Sequence, residues 1–184
     1  MKKVIWQMSV SLDGYVEGPD QQIDWHRVDD EFNAYAIDTL RATDVLIMGR
    51  RTYELMAAYW PTAVDNHPVV TERMNATPKL VFSRTLQRVE WQHSRLATGS
   101  VAEELARLRH APGDGLLWVG GSDLAASFLE HGLIDELRFI YTPILLGAGK
   151  TALDAIKRRV PLALLSTRRF ASGCVVLSYA PARA

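Results

Sequence analysis

The sequence of 184 residues has one cysteine, no net charge and no long apolar run. The single thiol, Cys174, cannot form an internal disulfide bond, which suits a reducing cytoplasm. The 21 basic and 21 acidic side chains cancel, so no overall field draws nucleic acid or an anionic membrane to the protein. Polar residues soon interrupt the apolar start of the chain, and no segment is long enough to span a bilayer. We therefore expect a soluble, cytoplasmic protein without a nucleic-acid or membrane partner.

Several common ligand-binding motifs are also missing. No G-x-G-x-x-G sequence follows a predicted strand, which argues against a Rossmann dinucleotide site. Residues 147–151 resemble the end of a phosphate-binding P-loop, but Ile144 occupies the position of the glycine that this motif requires. The five histidines do not have the spacing of metal ligands, so we predict no metal site.

What the sequence does contain is a globular composition, with 48% hydrophobic and 23% charged residues, which is sufficient for one full core. No repeat or linker divides the chain, so we predict a single domain over residues 1–184. Short apolar strands alternate with amphipathic helices, and residues 162–179 have the pattern of a β-hairpin. This order predicts an α/β fold in three layers, with a mostly parallel mixed central sheet flanked by helices and an antiparallel C-terminal hairpin.

The predicted helices begin at residues that commonly form N-caps. Asp29 or Asp30 precedes the first helix, and Ser100 with Glu103 forms the sequence pattern of a capping box. Ser122 is the predicted cap of a later helix, which we expect to end before Gly132. The remaining helix is predicted to begin at about residue 52, and the strands are predicted over residues 4–10, 45–48, 79–83, 115–119, 137–142, 162–170 and 174–179.

Two predicted strands end in glycine where a helix begins, at Gly49-Arg50-Arg51 and at Gly120-Gly121. A helix N-terminus presents unpaired N–H groups and about half a positive charge, so it attracts phosphate. Glycine allows the backbone to approach a ligand closely, and the arginines add two cations. Each feature alone also fits a tight turn or a solvated arginine.

A third predicted strand ends in Ser83-Arg84, whose hydroxyl and guanidinium groups suit a ribose 2′-phosphate. That pair would favour NADPH over NADH. Ligands of open α/β sheets bind at the carboxyl ends of the strands, where all three segments would meet. Their conjunction therefore predicts a dinucleotide site at this edge of the sheet.

Four segments resemble one superfamily, in the same order along the chain. Residues 45–54, V-L-I-M-G-R-R-T-Y-E, resemble the V-I-M-G-R-x-T-[WY]-E segment of dihydrofolate reductases, and residues 117–122 are similar to their second glycine-rich signature. Residues 9–16 and 142–149 resemble segments of the reductase domain of bacterial riboflavin-biosynthesis enzymes. The chain thus resembles the dihydrofolate-reductase-like superfamily, in the branch of the riboflavin-biosynthesis reductase C-terminal domain.

This resemblance implies that the chain binds NADPH. The nicotinamide would lie against the segment that contains Ser9 and Val16, and the adenosine 2′-phosphate against Ser83 and Arg84. The residues that would hold the central phosphates are Gly49, Arg50, Arg51, Thr52, Val119, Gly120, Gly121 and Ser122.

Two carboxylates are candidates for the catalytic residue. Reduction of a C=N bond raises the basicity of the nitrogen, so a proton donor nearby lowers the barrier. The resemblance to dihydrofolate reductases places Glu31 at the position of the acid, with Thr142 beside it, whereas the riboflavin-type reductases place Asp13 in the active site. Helix capping and a turn with Gly14 are alternative roles for these carboxylates.

The leading hypothesis is an NADPH-dependent reductase of a small heterocycle of the pteridine or pyrimidine type. The alternatives are a stand-alone 5-amino-6-(5-phosphoribosylamino)uracil reductase of riboflavin biosynthesis and a nucleotide-binding module without turnover. Trp25 and Phe32 could stack on a planar substrate or belong to the core. The riboflavin-type relatives pair through late strands, so we expect a homodimer, with residues 144–146 as a source of apolar contact area.

Overall fold

The computed structural model describes residues 1–182, which form ten strands, five α-helices and one 3₁₀-helix. The strands are β1 (Val4–Ser11), β2 (Tyr15–Glu17), β3 (Thr43–Gly49), β4 (Lys79–Phe82), β5 (Ser94–Leu96), β6 (Leu116–Gly120), β7 (Glu136–Thr142), β8 (Lys150–Thr151), β9 (Leu162–Arg169) and β10 (Val175–Pro181). The helices are α1 (Asp30–Arg41), α2 (Arg50–Tyr59), α3 (Pro68–Ala76), α4 (Val101–His110) and α5 (Ser122–Glu130), and the 3₁₀-helix is Trp60–Thr62.

Eight strands form the central sheet in the order β5-β4-β3-β6-β1-β7-β10-β9, and β2 and β8 form a separate two-stranded sheet. The first six strands of the central sheet are parallel, whereas β10 is antiparallel to both β7 and β9. Buried strands joined by helices give parallel pairing, and the short turn after Phe170 forces the last two strands to be antiparallel. The predicted α/β architecture with a C-terminal hairpin is confirmed.

Apolar side chains cover both faces of the sheet. On one face, α4 and α5 pack against Val4, Trp6 and Val119, and on the other, α1 and α3 pack against Leu46 and Met48. The two cores with the sheet between them make the three predicted layers. None of the helices within residues 1–182 is long and apolar enough to cross a membrane.

The structure corrects several predicted element boundaries. Gly121, not Ser122, is the N-cap of α5, because the chain turns there at φ 88°, which glycine adopts without strain. Asp29 caps α1 by accepting a hydrogen bond from the N–H of Phe32, and the capping box of Ser100 is confirmed. No sequence pattern predicted α3, β2, β5 or β8, and α2 begins two residues earlier than predicted.

The turn between β5 and α4 is organised by the buried carboxylate of Glu104. Arg95 and Arg107 donate to it at 2.8 and 2.9 Å, and the N–H groups of Thr98 and Gly99 donate at 2.9 and 3.3 Å. Burial alone would raise the pKa of Glu104, but the hydrogen bonds from Arg95 and Thr98 outweigh it and lower the pKa to about 2. The carboxylate therefore fixes the loop that follows β5.

Replacing Glu104 by glutamine should lower the free energy of unfolding by about 2–3 kcal/mol at pH 7, because two arginines and two N–H groups lose their charged acceptor. Urea unfolding measures this difference. The folded-state pKa lies below the unfolded value, so the contribution is complete above about pH 4.5 and declines as the pH falls towards 2. The exposed Glu130→Gln exchange should change stability by less than about 0.5 kcal/mol. Equal stabilities of the two variants would contradict this role of Glu104.

Candidate functional site

Three neighbouring strands of the parallel sheet end at the same level. Gly49 at the end of β3 pairs with Phe82 of β4, and Met48 pairs with Gly120 of β6. The segments that follow these strands therefore lie side by side at the carboxyl edge of the sheet. The structure brings together the three segments that the sequence analysis assigned to a dinucleotide, which begin at Gly49, Ser83 and Gly120.

The helices that directly follow β3 and β6, which are α2 and α5, have no side-chain cap. The N-caps of α2 and α5 are Gly49 and Gly121, and neither makes a side-chain capping hydrogen bond. The other three α-helices within residues 1–182 are capped by the side chains of Asp29, His67 and Ser100. The first N–H groups of α2 and α5 are thus not satisfied by a capping side chain, and an anionic ligand is a suitable acceptor for them.

Glycine residues leave the backbone without side chains where α2 and α5 begin close to each other. A Cβ atom at Gly121 would collide with Oγ1 of Thr52, and one at Gly49 would touch Leu124 at 3.8 Å. At Gly120 such a Cβ would be in ordinary van der Waals contact, at 3.8 Å, with the carbonyl oxygen of Ile47 and with Cγ2 of Thr52. We call the backbone of residues 49–52 and 119–122 the cradle.

Next to the cradle, β1 extends beyond the end of β6. Pairing with β6 stops at Trp6 and Val119, whereas pairing with β7 continues to Ser11 and Thr142. The last residues of β1, Ser9 among them, therefore run past the end of β6 and have no strand partner on that side. A flat ring could lie on this projecting strand. Val16, the other predicted nicotinamide contact, is half-buried in β2 and packs against the core.

At the far side of the cradle, Ser83 and Arg50 meet at Thr85. Arg50 Nη1 donates to Thr85 Oγ1 at 2.8 Å, and the Ser83 and Thr85 hydroxyl oxygens are 3.5 Å apart. Ser83 Oγ also accepts from the N–H groups of Thr85 and Leu86, which fixes the turn after β4. Arg84 is exposed on this turn. The Arg50 guanidinium meets two hydroxyls here, with Arg84 on the same turn, and these groups are donors that suit a phosphate.

The two-stranded sheet of β2 and β8, which we call the flap, is tied to both helices of the cradle. Glu17 of β2 accepts from Arg51 at 2.6 Å, and Lys150 of β8 donates to Asp123 in the first turn of α5 at 2.7 Å. Arg51 is therefore paired with a carboxylate. Arg50 is also paired with one, because it contacts Glu54 at 2.8 Å.

Asp13 holds the loop that follows β7. Its carboxylate accepts from the N–H groups of Gly147 at 2.8 Å and Leu146 at 3.1 Å, and from Ser11 Oγ at 2.6 Å. The hydrogen bond from Ser11, with those from Gly147 and Leu146, lowers the pKa of Asp13 below its usual value. The carboxylate is thus ionised at neutral pH, which suits an anchor better than a proton donor.

Glu31 lies in the exposed first turn of α1, where its carboxylate accepts from the N–H of Ala171 in the β9–β10 turn. Arg27 and Asp29 lie beside the same turn, and Arg27 donates to the carbonyl of Ser172 at 3.1 Å. Glu31 therefore contacts the hairpin. Its assignment as the catalytic acid stays a prediction.

The three predicted substrate contacts lie in different surroundings. Phe32 packs beside Tyr35 in a small core under the C-terminal hairpin. Thr142 is buried, with Cys174 Sγ 4.0 Å from its hydroxyl, and no hydrogen bond joins it to Glu31 in the part of the chain that the structure describes. Trp25 contacts His26 edge-to-face, and its indole N–H donates to the carbonyl of Gln22 in the same loop.

Four residues at the site were not predicted from the sequence: Glu17, Thr85, Asp123 and Lys150. Thr85 directly follows the predicted Ser83-Arg84 pair, so its proximity was visible in the sequence. The contacts of Glu17 and Lys150 join residues 34 and 27 positions apart. No local pattern indicates such pairs, because they depend on how β2 pairs with β8.

Comparison with known proteins gives one family. The family model of the RibD C-terminal domain matches residues 2–176. The uncharacterized protein YyaP of Bacillus subtilis (strain 168) is 31% identical over 180 residues, which cover 97% of this chain and 94% of that protein.

Solved structures share the fold. A protein from Shewanella sp. PV-4 that is assigned to riboflavin biosynthesis has a TM-score of 0.78 and 24% identity, with 98% of this chain and 99% of that chain covered. Dihydrofolate reductase from Enterococcus faecalis, solved as a complex with NADP(H), has a TM-score of 0.65 and 14% identity, with 97% and 96% covered. The predicted dihydrofolate-reductase-like fold is confirmed.

Proposed function

The chain belongs to the family of RibD C-terminal domains, and from that premise we propose that it is an NADPH-dependent reductase of a small heterocyclic substrate. The observation that carries the proposal is the cradle, where α2 and α5 begin side by side without capping side chains. Two helix N-termini that converge on one point suit a pyrophosphate, because each adds partial positive charge and N–H donors. The glycines there let the phosphates approach the backbone.

The neighbouring features fit the rest of the dinucleotide. The projecting end of β1 at Ser9 would hold the nicotinamide, and Ser83, Arg84 and Arg50 would bind the 2′-phosphate, with Thr85 orienting Arg50. Bound NADPH would supply the hydride. This chain's part is then to orient the two rings, exclude water and deliver a proton to the reduced substrate.

For the proton donor we propose Glu31 rather than Asp13. Asp13 has a lowered pKa and three donors already directed at its oxygens, so protonating it would cost free energy and loosen the loop at Gly147. Glu31 has one such backbone donor, from Ala171, and lies in the exposed first turn of α1. Trp25, Phe32 and Thr142 remain the proposed contacts of the substrate.

A pteridine or pyrimidine ring is the proposed substrate class. The alternative is the sugar of a ribosyl-aminopyrimidine, as in the riboflavin pathway, and the Shewanella protein of similar fold is assigned to that pathway. A nucleotide-binding module without turnover is the third possibility. The identity of the catalytic acid distinguishes the ring substrate from the sugar substrate. Glu31 as the acid indicates reduction of a ring at its nitrogen, whereas Asp13 indicates reduction of the sugar.

NADPH should quench the tryptophan fluorescence of the protein and bind more tightly than NADH, by about tenfold or more, because only NADPH carries the 2′-phosphate. The double variant Ser83→Ala/Arg84→Gln should lose most of this preference while binding NADH as the wild type does. The Arg88→Gln exchange, at an arginine of the same loop that pairs with Glu90, serves as the control and should keep the preference. Equal affinity of the wild type for both coenzymes would contradict the assignment.

The Glu31→Gln variant should reduce turnover of a pteridine or pyrimidine substrate by about 10²–10⁴-fold, the usual contribution of a general acid. Its NADPH affinity should stay unchanged, since Glu31 lies outside the cradle. Steady-state kinetics and coenzyme titration of the same preparation measure both quantities. Asp30→Asn, at the adjacent exposed carboxylate, is the control. Full activity of the Glu31 variant would remove this residue from the mechanism.

We also propose that two copies pair through β9. This strand is one of the two edge strands of the central sheet in residues 1–182, and all of its residues are exposed. Its leucines Leu162, Leu164 and Leu165 are 42%, 57% and 52% exposed, and an exposed apolar edge strand favours pairing with another strand. In the segment 144–146 that the sequence analysis favoured, only Leu145 is exposed.

Light scattering should therefore find a dimer at micromolar concentration, and Leu164→Lys should shift it to monomer because it places a charge on the shared edge. Leu153→Lys changes a leucine of similar exposure, 47%, away from β9 and should leave the dimer intact. A monomeric wild type would refute the pairing.

A further inference from the structure

Two ion pairs connect the flap to the two helices that form the cradle. Arg51, in the first turn of α2, donates to Glu17 of β2 at 2.6 Å, and Lys150 of β8 donates to Asp123, in the first turn of α5, at 2.7 Å. The flap is therefore joined to each phosphate-binding helix terminus by one charged contact. At these contacts β2 provides a negative side chain and β8 provides a positive one.

The geometry of the flap holds Glu17 firmly in place. Glu17 pairs with Lys150 across the flap, and its side chain is only 14% exposed, although it carries a charge. Gly149 lies so close that any Cβ atom there would collide with the Glu17 carbonyl oxygen, and its φ of 134° also requires glycine. The carboxylate therefore does not swing freely.

Arg51 has two possible anionic partners. A pyrophosphate at the start of α2 would carry more charge than one carboxylate and would also receive backbone N–H groups. Arg51 itself is half-exposed, so it can turn from Glu17 towards such a ligand. A phosphate at the start of α2 would therefore compete with Glu17 for the Arg51 guanidinium.

The second ion pair changes the charge at the start of α5. Asp123 lies in the first turn, where a negative side chain stabilises the helix but repels a phosphate at the same terminus. Lys150 cancels that charge from the flap. The positive charge of Lys150 on β8 thus reduces the repulsion between Asp123 and an anion bound at the start of α5.

We propose that Glu17 and Lys150 are positioning residues of the dinucleotide site: Glu17 keeps Arg51 in place until the pyrophosphate takes it, and Lys150 neutralises Asp123. This inference rests on the proposed function. Binding of the dinucleotide then releases the β2 side of the flap, while the β8 side stays attached to α5. Whether Glu17 of the flap contacts Arg51 therefore depends on whether the cradle is occupied.

A double-mutant cycle on the dissociation constant of NADP⁺, measured by calorimetry, tests the role of Glu17. Glu17→Gln should tighten binding by about three- to fivefold, the size of an exposed ion pair, because Arg51 no longer has a competing partner. The same exchange in an Arg51→Gln background should have no effect. Asp20→Asn removes a charge near Glu17 without touching Arg51, and it should leave the affinity unchanged.

A second pair of variants tests the role of Lys150 through its partner Asp123. Lys150→Gln should weaken NADP⁺ binding several-fold by exposing the charge of Asp123, and adding Asp123→Asn should restore the affinity. Circular dichroism of each variant checks that it is folded. A double variant that binds as weakly as Lys150→Gln would overturn the neutralising role.

The outcomes separate this inference from the proposed function. If NADP⁺ binds the wild type but Glu17→Gln weakens binding, leaves it unchanged, or tightens it equally in the Arg51→Gln background, the role of Glu17 is wrong and the reductase proposal stands. If NADP⁺ binds to neither the wild type nor any variant, the cradle is not a dinucleotide site and both proposals fall.

Discussion

Parallel pairing of six neighbouring strands puts their carboxyl ends along one edge of the sheet, and every part of the proposed site depends on this alignment. Gly49, Ser83 and Gly120 are far apart in the sequence but lie at the carboxyl ends of strands that end side by side. The loop after β5, fixed by Glu104, extends this row on one side, and the projecting end of β1 extends it on the other. A long, linear ligand fits a row of strand ends better than a compact one does.

The cradle also illustrates a conflict between stability and function. A capping side chain contributes about 0.5–2 kcal/mol to a helix, and α1, α3 and α4 have one. The chain omits it where α2 and α5 begin, at Gly49 and Gly121. Such an omission makes physical sense where a ligand completes the hydrogen bonds, as in other sites that are optimised for binding rather than for stability.

Local sequence patterns predicted the architecture and the segments of the cradle, but they did not predict the long-range side-chain contacts around it. Strong apolar runs ending in glycine identified Gly49 and Gly120, since both the strand and the turn are encoded in a few residues. The role of the Asp13 carboxylate was ambiguous because two of its three partners, the N–H groups of Leu146 and Gly147, are more than 130 positions away. Helix α3 and the three-residue β5 were missed because tertiary packing, rather than a marked amphipathic or alternating pattern, stabilises such short elements.

A crystal structure of the protein with bound NADPH tests the central claim most directly. The account predicts that the pyrophosphate accepts hydrogen bonds from the first N–H groups of α2 and α5, with the nicotinamide against Ser9 and the 2′-phosphate at Ser83. Arg51 should then contact phosphate instead of Glu17. A dinucleotide bound elsewhere on the molecule, with no phosphate at either helix start, would contradict it.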